Sequence, residues 1–149
     1  MDVIRKTMLL LIILFSTVSF LSAEEAKVSI ELEQTGDSGL IQATFTIPDG
    51  YHQSYEIELD NEFALLFLAS ETAGVTFEDT YYPISEGLTF GDIEEYHDSV
   101  TLTKAFTITD PTVKEISVDY GYQLCLDSGS CMRPIFATEV IALQEIATS

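Results

Sequence analysis

The chain has 149 residues, with 25 Asp or Glu against six Lys or Arg, and a formal net charge of −19 at neutral pH. That field repels nucleic acid and anionic membrane surface and steers association toward basic partner surfaces. A heavily hydrated secreted surface is the plainer account of the acidity.

The chain begins with Arg5 and Lys6 ahead of a mostly apolar stretch from Met8 to Phe20, then Leu21-Ser22-Ala23 before the acidic Glu24-Glu25. This is the layout of a cleavable signal peptide over residues 1–23, with the cut after Ala23. The stretch is short for a spanning helix, which needs about 20 residues. The expected mature part, residues 24–149, is one domain of 126 residues carrying a charge of −20, exported to the periplasm or secreted. No later segment is long and apolar enough to span a bilayer.

The rest predicts an all-β domain. Val28, Ile30 and Leu32 alternate with Ser29, Glu31 and Glu33, the period-2 pattern of a half-buried strand over Lys27 to Gln34. A turn at Thr35 to Gly39 leads to a second strand over Leu40 to Ile47, which Pro48-Asp49-Gly50 ends. Tyr55 to Leu59 alternates again. The run Phe63 to Ala69, within Glu62 to Ser70, is too continuous for a one-sided strand and fits a buried strand or a short helix. Val75 to Phe77 is a short strand, and Tyr81 to Glu95 reads as a long loop carrying apolar residues. Strands follow over Val100 to Ile108, Glu115 to Gln123 and Ile135 to Leu143. Short strands with regular turns indicate an immunoglobulin-like β-sandwich.

The two cysteines, Cys125 and Cys131, lie between the last two strands. In an oxidising compartment they are expected to rest as a disulfide. A 15-residue loop gives about 3 kcal/mol in the chain-entropy model, so a ring this short gives less. Spacing alone leaves staple and reagent open. The only histidines, His52 and His97, fit no usual zinc spacing with these cysteines, and no metal or other cofactor is expected. Calcium-loop spacing, a Gly-x-Ser-x-Gly elbow and a Gly-rich phosphate loop are all missing. Asp127-Ser128-Gly129-Ser130 is explained by turn chemistry rather than by a serine nucleophile.

The segment Tyr122-Gln123-Leu124-Cys125-Leu126-Asp127-Ser128-Gly129-Ser130-Cys131-Met132-Arg133-Pro134 resembles the Tyr-Gln-x-Cys-x-x-x-Gly-x-Cys-x-x-Pro signature of the N-terminal periplasmic domain of the thiol:disulfide interchange protein DsbD. Ile47-Pro48-Asp49-Gly50-Tyr51 is similar to that family's Asp-Gly-Tyr segment, and Phe90 to Asp98 to its aromatic-Gly loop and the strand start after it. The likeness covers Lys27 to Leu143.

The resemblance implies an immunoglobulin-like redox domain with Cys131 as the interchange cysteine and Cys125 as the resolving one. It implies a membrane-embedded or thioredoxin-like electron donor and a periplasmic thioredoxin-like acceptor, with no small-molecule cofactor and no nucleic acid. Phe90 and Gly91 correspond to an aromatic cap loop over the cysteines, with a core position as the plainer place for Phe90. Arg133 is in position to favour the Cys131 thiolate, or is simply a surface residue. Tyr122 and Gln123 shape the strand end, Tyr51 lies in the turn near the cysteines, and His52 reads as a solvated histidine. Two departures stand out: a single Pro134 after the cysteines, and Leu88-Thr89 where the family often has an acidic pair. The chain stops at Ser149, so the reading expects a standalone module reduced by a separate membrane protein. The alternative function is a non-catalytic secreted immunoglobulin-like binding or adaptor domain with a structural disulfide. A third is a chaperone-like domain using its edge strands, in which neither cysteine matters.

Overall fold

The structure is a computed structural model and describes residues 25–57 and 65–146. The expected signal peptide, Leu59, and the run's first residues Glu62 to Ala64 lie outside the described residues. The described residues form ten strands and no helix: β1 (Lys27–Thr35), β2 (Ser38–Thr46), β3 (Tyr51–Glu56), β4 (Leu66–Ser70), β5 (Val75–Phe77), β6 (Ile93–Tyr96), β7 (Ser99–Ile108), β8 (Glu115–Tyr122), β9 (Leu124–Leu126) and β10 (Ile135–Ala142). All pairings are antiparallel, in sheets ordered β1-β2-β7-β5, β10-β8-β4 and β6-β3-β9.

The first two sheets make the sandwich. Ile41, Ala43 and Phe45 of β2, with Leu102 and Phe106 of β7, meet Ile116, Val118 and Tyr122 of β8 and Leu66 and Leu68 of β4 in one buried core. Phe45 meets the rings of Tyr120 and Tyr122 edge-on, both at 5.9 Å, which ties one sheet to the other. The immunoglobulin-like all-β expectation holds. The β1–β2 hairpin turns at Gly36-Asp37, with Gly36 at φ 62°, a conformation that costs glycine least.

The apolar run before Ser70 is a strand, and the reason is that both of its faces are covered. Leu66 and Leu68 enter the core, while Phe67 on the other face lies over Gly121 and 6.1 Å from the ring of Phe136. A Cβ at Gly121 would strike the Phe67 ring, so β8 carries no side chain there.

The third sheet departs from the sequence expectation. Strand β3 begins at Tyr51, four residues before the alternation does, and β6 lies partly inside the predicted long loop. The buried positions of these strands include polar ones: Gln53 is 1% exposed and Glu94 is buried beside Tyr96, whereas Ile93 faces solvent. Period-2 hydrophobicity is therefore inverted where it would have announced them. Both of these buried side chains are hydrogen-bonded. Glu94 accepts the Ser85 backbone N–H at 2.7 Å and its hydroxyl at 2.9 Å. Gln53 donates to the Leu65 and Ser54 carbonyls, both at 2.7 Å, and accepts the Gln123 N–H at 2.8 Å.

The loop ahead of β6 is pinned to the same sheet. Tyr82 stacks on Tyr55 at 4.0 Å, and the Tyr96 hydroxyl donates to the Pro83 carbonyl at 2.5 Å. Burial, and then the neighbouring Tyr55, pushes the Tyr82 hydroxyl up to about 12.

Candidate functional site

At Gln123 the chain steps from the sandwich sheet holding β8 into the small sheet, where it continues as β9. It then turns back on itself. The Leu126 N–H donates to the Ser130 carbonyl at 2.7 Å, and the Met132 N–H donates to Leu124 at 2.7 Å. Gly129, at φ 121°, makes the turn possible, and its N–H donates to the Leu126 carbonyl at 2.9 Å. Asp127 N–H reaches the Gly50 carbonyl at 3.0 Å and fastens the turn to the start of β3.

Cys125 and Cys131 face each other across this hairpin, joined as a disulfide with Cα atoms 3.9 Å apart. The two sulfurs are not equivalent. Cys125, between β3 and the returning arm, is 5% exposed; Cys131, on the outer arm, is exposed. Access to a sulfur is one of the factors that set the rate of thiol–disulfide exchange, so the two sulfurs differ in how readily a partner can meet them.

The other predicted residues are placed as follows. Gln123 holds the returning arm, its amide donating to the Met132 carbonyl at 3.1 Å, one residue past Cys131. Tyr122 is a core residue, edge-on to Phe45, with its hydroxyl donating to the Ala26 carbonyl at 3.4 Å. Its ionisation is pushed up, by burial first and then by the Glu25 carboxylate. Tyr51 is half-buried and pairs with Leu126 at the hairpin. Arg133 is exposed, two residues past Cys131.

Phe90 is 65% exposed, so it does not pack in the core, and Gly91 at φ 84° donates to the Ile57 carbonyl at 3.0 Å. Ile93 pairs with Glu56, whereas Cys125 pairs with His52, four residues away along β3. At 3.3 Å per residue that offset is about 13 Å, and Phe90 lies beyond it in the chain. The structure thus gathers Tyr51, Gln123 and both cysteines, and holds Phe90 toward the other end of the small sheet.

His52 is not solvated. It sits directly opposite Cys125 in the β3–β9 register, with its side chain 15% exposed. Its Nδ1 lies 2.8 Å from the Asp127 carboxylate and its Nε2 3.7 Å from Glu95. His97 completes a ring of four, 3.8 Å from Glu95 and 4.0 Å from Asp127, its imidazole 5.8 Å from that of His52. The spacings Cys125-x-Asp127 and Glu95-x-His97 put each pair on one face of a strand, but only the register reveals that the faces are the same. Among the described residues, no three His, Cys, Asp or Glu side chains are placed to hold a metal ion, and no helix is long and apolar enough to cross a membrane.

The reduced N-terminal domain of DsbD from Neisseria meningitidis is similar at 22% identity, over 77% of this chain and 84% of that one, with a TM-score of 0.44. The GAE domain of GGA2p from Saccharomyces cerevisiae is similar at 12% identity, over 84% and 95%, with a TM-score of 0.47. The GAE domain of yeast GGA1 is similar at 8%, over 84% and 96%, with a TM-score of 0.45. No curated protein matches the chain. The family model described as thiol:disulfide interchange protein DsbD, N-terminal, matches residues 17–143, and with most of its length so covered the chain belongs to that family.

Proposed function

We propose that the domain is an extracytoplasmic thiol–disulfide interchange module, with Cys131 as the cysteine that meets the partner and Cys125 as the one that resolves. The unequal exposure of the two sulfurs carries this reading. In the reducing direction, the Cys131 thiolate attacks a partner disulfide and forms a mixed disulfide, releasing one partner thiolate. The Cys125 thiolate then attacks the Cys131 sulfur, the second partner thiolate leaves, and Cys125–Cys131 is closed. Two electrons pass to the partner, whose thiolates take up protons from water. Family membership points to thioredoxin-like partners and to the periplasm. We assign the donor to a membrane-embedded or thioredoxin-like protein, and export to the predicted signal peptide.

The test is the reduction potential of the pair, from graded thiol buffers with alkylated cysteines counted by mass. A value between about −120 and −270 mV, among the catalytic thiol–disulfide proteins, is expected. A value below about −300 mV marks a structural bond and hands the molecule to the adaptor reading.

Phe90 and Gly91 form the proposed cap. The exposed Phe90 ring is free of the core, and covering Cys131 requires the loop to fold back along β3. Phe90→Ala is expected to speed alkylation of reduced Cys131 several-fold. An unchanged rate removes Phe90 from the site.

A further inference from the structure

Building on the interchange reading, we propose that His52 is a positioning residue for the resolving thiol. Its imidazole, anchored by Asp127, favours the thiolate of Cys125 and so sets the rate at which the disulfide closes.

His52 and Cys125 are direct partners in the antiparallel β3–β9 pair, so their side chains leave the same face, with Cβ atoms about 5 Å apart. The charged groups facing His52 come from both flanks: Asp127 from the hairpin at 2.8 Å, and Glu95 and His97 from β6 and the residue after it. Burial opposes the anion of Cys125, and the carboxylates gathered about His52 add like charge to its surroundings. Within this cluster only the imidazoles are able to carry positive charge, and His52 is the one opposite Cys125. Asp127 fixes the ring through Nδ1, as a carboxylate orients an imidazole in other thiol and hydroxyl sites.

The step it serves balances simply. The Cys125 thiol gives its proton to water, its thiolate attacks the Cys131 sulfur of the mixed disulfide, the Cys131–partner bond breaks, and the partner leaves as a thiolate. Cys131 is one strand further from His52, its Cα 3.9 Å from that of Cys125, and it is exposed, so water screens its sulfur more than the buried sulfur of Cys125. The effect is therefore larger at Cys125.

The experiment reads the pH profile of alkylation by the neutral reagent iodoacetamide. In the reduced Cys131→Ser background, adding His52→Gln is expected to shift the Cys125 profile to higher pH and slow the reaction at pH 7 by about three- to tenfold, lost thiolate being partly offset by higher nucleophilicity. Adding Glu95→Gln, at an exposed carboxylate, is expected to shift the profile the opposite way, and it keeps the test alive if His52→Gln fails to fold. In the Cys125→Ser background, His52→Gln is expected to change Cys131 by less than about twofold. A Cys125 profile unmoved by both substitutions, or an equal shift at both cysteines, overturns the proposal. Each readout needs no partner protein. A potential below about −300 mV would sink the interchange reading and leave this coupling measurable.

Discussion

Replacing Cys125 with serine is expected to turn the domain into a trap, and replacing Cys131 to silence it. Reduced Cys125→Ser, offered glutathione disulfide or an oxidised thioredoxin-like protein, should accumulate a stable mixed disulfide on Cys131, because no second thiolate remains to expel the partner. Reduced Cys131→Ser should fall to the uncatalysed background. Its remaining sulfur is 5% exposed, between β3 and the returning arm, where a partner disulfide has no in-line approach. Intact-protein mass spectrometry under non-reducing conditions checks both. The asymmetry is the decisive part. A structural ring predicts two slow cysteines, and electron transfer that survives in Cys131→Ser would end the interchange assignment.

Much of this was legible in the sequence. The strands that bury one apolar face announced themselves by alternation: Val28-Ile30-Leu32 in β1, Ile41-Ala43-Phe45 in β2 and Ile116-Val118 in β8 are the residues that turn inward. The cysteine pair and its family signature were equally plain. The small sheet that carries the site was not. Its inward positions mix Gln53 and Glu94 with Tyr96 and Leu124, and Ile93 points outward, so hydrophobic period failed there for a physical reason: these strands are held partly by hydrogen bonds to buried side chains. His52 escaped for a related cause. A histidine in a polar stretch carries no partner in its own neighbourhood, and Asp127 lies 75 residues away. Only a register that begins β3 at Tyr51 brings it opposite Cys125.

The same logic makes Gln53 the residue on which the frame of the site turns, and Gln53→Leu is expected to cost about 2–4 kcal/mol of stability. Leucine fills a similar volume, so the loss comes from polar groups rather than from a cavity. The Leu65 carbonyl at the entry to β4 and the Gln123 N–H at the step into β9 each lose a partner in a site 1% exposed to water. Each orphaned group costs about 1–3 kcal/mol, against a total domain stability of about 5–15 kcal/mol. Urea unfolding with the disulfide intact measures it, and a loss under about 1 kcal/mol would mean that water or a shifted backbone replaces the amide. The loss should also be local before it is global. Gln123 precedes Leu124 and Cys125 and holds the Met132 carbonyl, so releasing its N–H loosens both arms of the hairpin at once. Amide exchange at Leu126 and Met132 is then expected to quicken ahead of exchange at Ile116 and Val118 in the sandwich core. Buried Cys125 should alkylate faster in the reduced protein for the same reason, which narrows the difference in access between the two sulfurs. Stability and chemistry meet in one amide: Gln53 holds the step into β9 that keeps Cys125 covered while Cys131 stays in reach.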